Sequence, residues 1–453
     1  MPTTTDSPKP TRESSALQNW DPNDQQFWES TAQPIAWKSL WVTTYCLLLS
    51  FATWFMVSTI VVKLTGIGFK FSKEQLFWMN SMPGLAAGTL RIIHTFLVPI
   101  FGSRKVIAAS TLLLALPAIG WGMAVSNPQT SYSTFMCLAF LAGLGGGNFS
   151  SFMPSTSLFF PKRLQGTALG IQAGIGNFGV SVVQFLVPVV IGLAMVGSSQ
   201  HFVEKKAGKI VKEADIYLQN AAYIWVPLVL IGAVLAWTML RSVPVKANFR
   251  EQLDIFKEKH TWFMTSLYIM TFGSFSGYAA AFPLLIKDTF GKFDGAPEPL
   301  RYAFLGPLVG AAVRAMFGPI ADKFGGARVT MISGIGLLGC SLAITQFAHP
   351  TSMDQWGGFL WCMLGLFFFS GIGNASTFKQ MPMIFPPRQA GGVIGWTSAI
   401  AAYGPFIFSV AFGAIIAKSG SPTQFFYFAG AFYAANILLN WWYYSRKGAE
   451  KLC

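Results

Sequence analysis

Charged side chains are scarce in this sequence. Asp, Glu, Lys and Arg make up 11% of its 453 residues, whereas a soluble domain carries about 25%. The five cysteines form no CxxC pair, so the pattern supports neither a disulfide framework nor a zinc site. The four histidines are scattered, and HExxH, GxSxG and P-loop motifs are absent. We therefore expect that the protein is not an enzyme and that it has no catalytic residue, no metal site and no cofactor.

Apolar residues are correspondingly abundant. They make up 53% of the chain, and the 45 glycines are spread through apolar runs rather than gathered in linkers. This composition is typical of a polytopic membrane protein. The net charge is +14, but the basic residues lie mostly at the edges of apolar segments. Membrane topology therefore explains the charge better than nucleic-acid binding does, and we expect no nucleic-acid partner.

Twelve apolar stretches are long enough to cross a bilayer of about 30 Å as helices. They begin near Trp41, Leu76, Val106, Thr134, Ala168, Ala222, Trp262, Ala303, Val329, Gly358, Val393 and Phe425. A polar segment, residues 241–260, follows the sixth stretch. The predicted fold class is therefore an all-α membrane protein with twelve transmembrane helices in two six-helix bundles.

These boundaries predict the organisation of the chain and its orientation. We assign an N-terminal tail (1–36), a first bundle (37–241), a central loop (242–261), a second bundle (262–445) and a C-terminal tail (446–453). The first tail lacks the basic start and apolar core of a signal peptide. With this tail inside the cell, 18 of the 32 Lys and Arg residues are cytoplasmic, 11 external and 3 intramembrane. The excess favours two cytoplasmic termini. The main exception is the loop after helix 5, with Lys205, Lys206, Lys209 and Lys212.

The two halves also resemble each other in sequence. Residues 90–106 match residues 313–329 at an offset of 223, and residues 143–154 match residues 371–382 at an offset of 228. Helix 2 therefore corresponds to helix 8, and helix 4 to helix 10. Helices six apart run in the same direction, so the repeat is parallel. A substrate site is expected between the halves, near the middle of the membrane.

Three basic residues lie inside predicted helices: Arg91, Arg314 and Lys379. A central Arg or Lys costs roughly 2.5 to 3.5 kcal/mol there, so such residues usually face a cavity, a partner or a substrate. All 18 acidic residues fall in tails, loops or helix ends. The equivalent positions of the two arginines favour a bound anion over a structural or snorkelling role. Lys379 has two interpretations: a coupling residue, or a side chain that snorkels toward the cytoplasmic face.

Glycine-rich stretches form a second pattern in the predicted helices. Their leading members are Gly143 and Gly145 in helix 4, Gly174 and Gly176 in helix 5, and Gly371 and Gly373 in helix 10. Such residues let helices approach closely. Static packing explains one stretch, but the paired occurrence favours gating. Asn148, Asn177 and Asn374 lie among these glycines and either bind a ligand or hold helices together. We expect Asn177 to contact the ligand.

These motifs resemble those of a known family. GLGGGNFSSFM (residues 143–153) and GIQAGIGNFGVS (residues 170–181) are similar to the first nitrate signature of the nitrate/nitrite porters, a branch of the major facilitator superfamily. GIGNASTF (residues 371–378) resembles the second. DKFGGAR (residues 322–328) is similar to the superfamily's loop motif, whose first copy is degenerate because Pro99 stands where Asp322 stands in the second. The resemblance covers nearly the whole chain.

The resemblance implies a substrate site. Its arginines carry over onto Arg91 and Arg314, its aromatic residues onto Phe149, Tyr268 and Phe272, and a polar contact onto Asn177. Gln172 stands where the signature has Asn. Nitrate is flat and singly charged, so guanidinium groups can donate in-plane hydrogen bonds while rings cover its faces. Phosphate or an organic dianion would balance two arginines more fully, so the choice of nitrate rests on the resemblance.

The likeness is to bacterial nitrate/nitrite exchangers. It implies an antiporter that exchanges nitrate and nitrite by alternating access. It also implies a monomer that is embedded in the lipid bilayer of the bacterial inner membrane and serves nitrate assimilation. One alternative is a proton-coupled nitrate symporter, which needs a titrating group; Lys379 and His94 are the candidates. Another is a membrane nitrate sensor without transport, which would favour an attached signalling domain or a long tail.

Overall fold

The computed structural model describes residue 17 and residues 19–206, 209–243 and 253–453. Each predicted apolar stretch begins inside a helix. The helices of the N-terminal half are α1 (Gln33–Leu64), α2 (Lys73–Phe101), α3 (Ser103–Leu113 and Ala115–Ser126), α4 (Tyr132–Ala142, Leu144–Gly147 and Phe149–Phe159), α5 (Lys162–Val190) and α6 (Asn220–Tyr223 and Trp225–Met239). Those of the C-terminal half are α7 (Lys259–Tyr268, a π-helical turn Ile269–Gly273, and Ser274–Phe290), α8 (Pro299–Ala303 and Leu305–Phe324), α9 (Gly326–Ala343), α10 (Trp356–Ile384), α11 (Pro387–Ala401 and Gly404–Ser419) and α12 (Thr423–Asn440).

Length and composition alone qualify ten helices in the described part of the chain to cross a membrane. The remaining two of the twelve are α2, which carries Arg91, and α12. The prediction of an all-α membrane fold with twelve helices in two bundles is therefore confirmed. α1 and α7 occupy the centre: 89% and 94% of the residues in their most apolar windows are buried.

The internal repeat is visible in the backbone. Gly102 joins α2 to α3 with a φ of +80°, and Gly325 joins α8 to α9 with a φ of +90°. These values lie in the left-handed region, which favours glycine because it has no Cβ. Each glycine N–H donates to the carbonyl four residues earlier, over 2.8 and 3.1 Å. The two positions are 223 residues apart, as the sequence comparison predicts.

The main contacts between the two halves join α1 to α7, α2 to α11, and α5 to α8, and smaller ones join α2 to α7 and α4 to α11. Because α8 and α11 repeat α2 and α5, the α2–α11 and α5–α8 pairs are equivalent under the repeat. Pro161 is the N-cap residue of α5 and Pro386 that of α11, and their ψ angles are nearly the same, 152° and 151°. A site between the halves is therefore lined by matching helices from both.

With twelve crossings, the two ends of the chain lie on one face, which we call the termini face. The opposite face carries an antiparallel hairpin made of β1 (Gln200–Lys206) and β2 (Lys209–Ile216), and we call it the hairpin face. This lysine-rich segment is a loop in the prediction from sequence, and its two strands were not predicted. The hairpin lies between α5 and α6 and leaves the all-α membrane fold class unchanged.

Segments beyond the helices pack against the termini face. Asn23 Oδ1 accepts a hydrogen bond from the Lys162 N–H over 3.1 Å and so caps the start of α5. At the other end of the chain, Glu450 accepts hydrogen bonds from Lys259 and His260, which lower the pKa of its carboxyl. α1 and α7 begin within the predicted tail (1–36) and central loop (242–261). Residues 244–252 of that loop lie outside the described residues, and the domain division stays a prediction.

A tight glycine contact in the N-terminal half generates a stability prediction. A Cβ at Gly145 would overlap the Ser50 carbonyl oxygen of α1, whereas a Cβ at Gly170 would meet no atom within 4 Å. Gly145→Ala should lower the free energy of unfolding by about 1–3 kcal/mol through overpacking. Gly170→Ala, the matched control, should be neutral or slightly stabilising because alanine favours helix. Melting temperatures of the purified variants check this, and equal values for the two would contradict the role of Gly145 in packing.

Candidate functional site

Two buried arginines lie on opposite sides of the boundary between the halves. Arg91 is on α2 and Arg314 is on the equivalent helix α8, and their exposed fractions are 0% and 7%. Their guanidinium groups are close enough to interact electrostatically. Among the described residues, no carboxylate lies within ion-pair distance of either group. The site therefore holds two buried charges of the same sign, which is costly in a low-dielectric interior.

Backbone carbonyls hold the Arg91 side chain in place. Its Nε donates to the Gly146 carbonyl over 2.9 Å, and its Nη1 donates across the boundary to the Ser398 carbonyl over 2.7 Å. Arg91 Nη2 and Arg314 Nη1 have no partner among the residues that the structure describes. Carbonyl oxygens accept hydrogen bonds but do not neutralise a formal charge. Each arginine therefore keeps a donor for a further, negatively charged group.

Aromatic rings surround the guanidinium of Arg91. Its Cζ lies 4.6 Å from the ring centroid of Phe149, 5.2 Å from that of Phe272 and 5.7 Å from that of Trp54. The rings of Phe149 and Phe272 are 6.4 Å apart with an interplanar angle of 26°. Because Phe149 is on α4 and Phe272 on α7, this stack joins the halves. The cation–π contacts favour a positive charge at this place.

The π-helical turn of α7 brings two predicted residues together. Tyr268 precedes the turn and Phe272 lies within it, and their rings stack at 5.4 Å with an angle of 9°. Phe378 of α10 completes the group: its ring is 5.5 Å from the Tyr268 ring and 5.5 Å from Arg314 Cζ. The Tyr268 hydroxyl is buried and without a hydrogen-bond partner in the described chain. π-Helical turns within α-helices, such as Ile269–Gly273, are frequent at functional sites.

The structure thus brings together Arg91, Arg314, Phe149, Tyr268 and Phe272. Their role in substrate binding stays a prediction. Three further neighbours at this site were not predicted from the sequence: Phe378, Trp54 and Ser398. Phe378 closes the second glycine signature and could have been found there. Trp54 is one of many apolar residues of α1, and Ser398 contributes a backbone carbonyl, so neither has a signal in the sequence.

The three asparagines of the glycine signatures have different surroundings, although all are fully buried. Asn148 Nδ2 donates to Ser50 Oγ over 2.9 Å and so joins α4 to α1. Neither amide atom of Asn177 or of Asn374 has a partner among the described residues. Gln172 Nε2 donates to the Phe152 carbonyl over 3.3 Å, and its Oε1 is unpartnered. The contact of Asn177 with a ligand stays a prediction.

Five of the six predicted gating glycines make their tightest contacts inside one half. They are Gly143 against α2, Gly145 and Gly176 against α1, Gly371 against α8, and Gly373 against α7 and α9. These contacts fix neighbouring helices within a bundle. Gly174 instead faces Ala315 of the other half, where a Cβ would be at 3.7 Å. Gly84 and Gly88, which the sequence analysis did not single out, pack against α11 across the boundary. The gating role of the six stays a prediction.

Two residues considered for proton coupling lie nearby. His94 is on α2, and its Nδ1 is 2.9 Å from Ser151 Oγ. This contact fits a hydrogen-bonded histidine inside the first bundle. Lys379 follows Phe378 on α10 and is half-buried. At about 100° per residue, its side chain leaves the helix on a different side from Phe378. A coupling role for Lys379 stays a prediction.

Direct polar contacts between the halves close the hairpin face. Lys63 Nζ of α1 lies 2.5 Å from Glu298 Oε1, next to the start of α8, and Lys73 of α2 pairs with Asp288 of α7. A lysine of the C-terminal half also contacts the N-terminal half: Lys287 Nζ of α7 donates to the Val62 carbonyl of α1 over 2.6 Å. Opening this face must break these contacts.

Two side-chain amides form further hydrogen bonds between the halves, closer to the arginines than the hairpin-face contacts. Asn80 Nδ2 of α2 donates to the Ala280 carbonyl over 2.9 Å. Gln184 Nε2 of α5 donates to the Ala279 carbonyl over 3.0 Å. A cavity of about 700 Å³ lies outside this seal, between the hairpin and the ends of α1, α7 and α8, and the two arginines do not line it. The arginines are therefore shut off from the hairpin face.

The chain matches the family model of the Major Facilitator Superfamily over residues 43–382 and 302–452. It is 60% identical over 437 residues to the probable nitrate/nitrite antiporter NarK2 of Thermus thermophilus, covering 96% of this chain and 98% of that protein. It is 37% identical over 454 residues to the nitrate/nitrite transporter NarU of Salmonella typhimurium, covering 95% and 96%.

Solved structures give the same fold. The nucleoside transporter NupG aligns with a TM-score of 0.62 at 12% identity, covering 90% of this chain and 98% of that one. A bacterial homologue of the human lysosomal transporter Spinster, in an inward-facing and unoccupied conformation, aligns with a TM-score of 0.62 at 17% identity, covering 90% and 93%. At these identities the likeness shows the fold alone.

The ion pair on the hairpin face generates a prediction about opening. The double variant Lys63→Met with Glu298→Gln keeps the side-chain sizes but removes both charges. Its loss of the ion pair should favour the open state of this face by about 1 kcal/mol, which raises the equilibrium constant for opening about fivefold. The measurement is the maleimide labelling rate of Ala280→Cys in a cysteine-free background. Lys70→Met, which removes an exposed lysine from the same face, is the control. Equal rates in the double variant and the control would rule out a closing role for this pair.

Proposed function

Because the chain belongs to the nitrate/nitrite porters of the major facilitator superfamily, we propose that it exchanges nitrate for nitrite across a membrane by alternating access. One observation carries the proposal: each half contributes a buried arginine with an unpartnered guanidinium nitrogen, and the described chain places no carboxylate beside either. An anion at this place receives hydrogen bonds from both halves. It also offsets part of the repulsion between the two charges.

The shape of the site suits a small flat anion. Guanidinium groups donate in the plane of nitrate or nitrite, and the facing rings of Phe149 and Phe272 offer apolar surfaces for its two faces. One monovalent anion leaves net positive charge on the arginine pair. Charge alone would fit a dianion better, so the choice of nitrate and nitrite rests on the close relatives and the signatures.

Exchange follows from the cost of moving the empty site. Without an anion, closing the halves around two like charges in a dry interior is unfavourable, so the empty carrier rarely changes sides. A bound anion joins the halves and lowers that cost, and the loaded carrier crosses in either direction. The cycle needs no proton and no enzymatic step.

We also propose the cellular setting. The hairpin face is external and the termini face is cytoplasmic in the inner membrane of a bacterium, where a monomer supplies nitrate assimilation. The Lys and Arg excess in the loops of the termini face supports this orientation. An impermeant maleimide tests it: rapid labelling of a single Cys in residues 244–252 on intact cells would reverse the orientation.

Substitution of either site arginine tests the geometry of binding. Arg91→Lys and Arg314→Lys keep the positive charge but lose the planar fork. Each should reduce nitrate uptake by roughly 10- to 100-fold, since a charge-assisted hydrogen bond contributes about 1.5–3 kcal/mol. Uptake by proteoliposomes with matched amounts of protein gives the measurement. Arg301→Lys, an exposed arginine on the same helix as Arg314, is the control. Uptake near the wild-type rate in both site variants would show that charge alone suffices.

Counterflow separates exchange from symport. Proteoliposomes loaded with nitrite should take up labelled nitrate at a rate that changes little between mildly acidic and neutral pH. Empty vesicles should take up almost none, because the unloaded carrier does not return. Concentrative uptake into empty vesicles under an inward proton gradient would instead identify a symporter. Loss of that response in Lys379→Ala would then assign Lys379 to the proton path.

A further inference from the structure

Asn374 is a buried amide without a partner. Its exposed fraction is 0%, and neither Oδ1 nor Nδ2 makes a hydrogen bond to any residue that the structure describes. A buried polar group left unsatisfied is destabilising, and most buried polar groups in proteins do find a partner. The position therefore calls for an explanation other than packing.

The side of α10 that carries Asn374 faces the arginine site. Gly371, on the same helix, packs against the Gly310 carbonyl one turn before Arg314. Phe378, one turn further along, has its ring 5.5 Å from both Arg314 Cζ and the Tyr268 ring. At about 100° per residue, Asn374 lies about 60° around the helix from Gly371 and about 40° from Phe378. These three residues therefore project toward the same region.

Thr377, which flanks Asn374 on the other side, further limits the direction in which the Asn374 side chain leaves α10. Thr377 Oγ1 lies 3.2 Å from Thr271 Oγ1, in the π-helical turn that carries Phe272. Thr377 is about 60° around the helix from Asn374, on the side away from Gly371. Asn374 thus lies between a neighbour that contacts this turn of α7 and neighbours that contact α8 and Arg314. That seam is where Arg314, Tyr268 and Phe378 meet.

Two other buried asparagines of the chain make a hydrogen bond through Nδ2, while their Oδ1 atoms have no partner among the described residues. Asn148 Nδ2 donates to Ser50 Oγ over 2.9 Å, and Asn440 Nδ2 donates to the Ala327 carbonyl over 2.8 Å. Both join two helices. The sequence left two roles open for Asn374, binding a ligand or holding helices together. Since its amide bonds no described group, the second role lacks the contact that it requires.

We propose that Asn374 is a substrate-binding residue whose Nδ2–H group donates to the anion between Arg91 and Arg314. Each half then contributes one guanidinium and one amide, with Asn177 as the amide of the N-terminal half. The inference rests on the proposed function and extends it to a residue outside the predicted site. The amide adds a neutral donor on the side of Arg314, where fewer rings and carbonyls contact the guanidinium than around Arg91.

The test uses Asn374→Leu, an apolar residue of similar size, in the full-length protein. In nitrite–nitrate counterflow, KM for nitrate should rise about tenfold with kcat within about twofold. KM for nitrite should also rise. The melting temperature of the anion-free protein should not fall, because the variant removes unpartnered polar groups. The increase in melting temperature on adding nitrate should shrink. Asn374→Ala should show the same KM change if leucine fits poorly.

The matched control is Asn440→Leu, a buried asparagine that has a partner. This control should lower the melting temperature, since it removes the hydrogen bond from Asn440 Nδ2 to the Ala327 carbonyl, and should leave KM unchanged. If Asn374→Leu behaves like the control, Asn374 is structural and the inference is wrong while the proposed function stands. If the wild-type protein neither exchanges nor is stabilised by nitrate, the proposed function fails, and the inference fails with it.

Discussion

The structure depends on one electrostatic constraint: two arginines, one from each half, are buried close together, and no carboxylate of the described residues pairs with either. Two carbonyl oxygens and three aromatic rings ease the burial of Arg91, and Phe378 lies beside Arg314. These groups orient the guanidinium groups but leave the net charge in place. A low-dielectric interior makes that charge costly. An anion bound at this place, as we propose, would lower that cost and make closure of the halves dependent on substrate.

Two lysines of the hairpin face differ from the two arginines in that their charges are paired within the protein. Lys63 and Lys73 each pair with a carboxylate of the opposite half. Such pairs bring the halves together without a ligand, because both charges belong to the protein. Among the described residues, the arginine site has no such carboxylate partner. The boundary thus contains two kinds of contact: ion pairs within the protein at the hairpin face, and two like charges at the centre that we propose are compensated by an anion. This division suits a carrier that closes around its substrate.

The repeat makes the two arginines equivalent in position but not in environment. Arg91 crosses the boundary to the Ser398 carbonyl and lies among Phe149, Phe272 and Trp54. At Arg314 the corresponding ring is Phe378. The π-helical turn of α7 contributes to this difference, since it stacks Tyr268 on Phe272. In the binding mode that we propose, a flat anion would therefore meet stacked aromatic rings on the side of Arg91 and fewer rings on the side of Arg314.

The sequence by itself determined the number of helices, the repeat and the two site arginines. Long apolar runs, glycines at matched offsets and charges inside apolar segments act locally, so each can be recognised without neighbours. Tertiary structure alone decided the rest. The hairpin arises from strand pairing in a polar loop, and the contact of Arg91 with Ser398 joins residues 307 positions apart through a backbone carbonyl that any residue carries. Whether the Nδ2 group of a buried asparagine finds an acceptor, as that of Asn148 does, or finds none among the described residues, as that of Asn374 does, depends on which helices meet, and that information is absent from a single chain position.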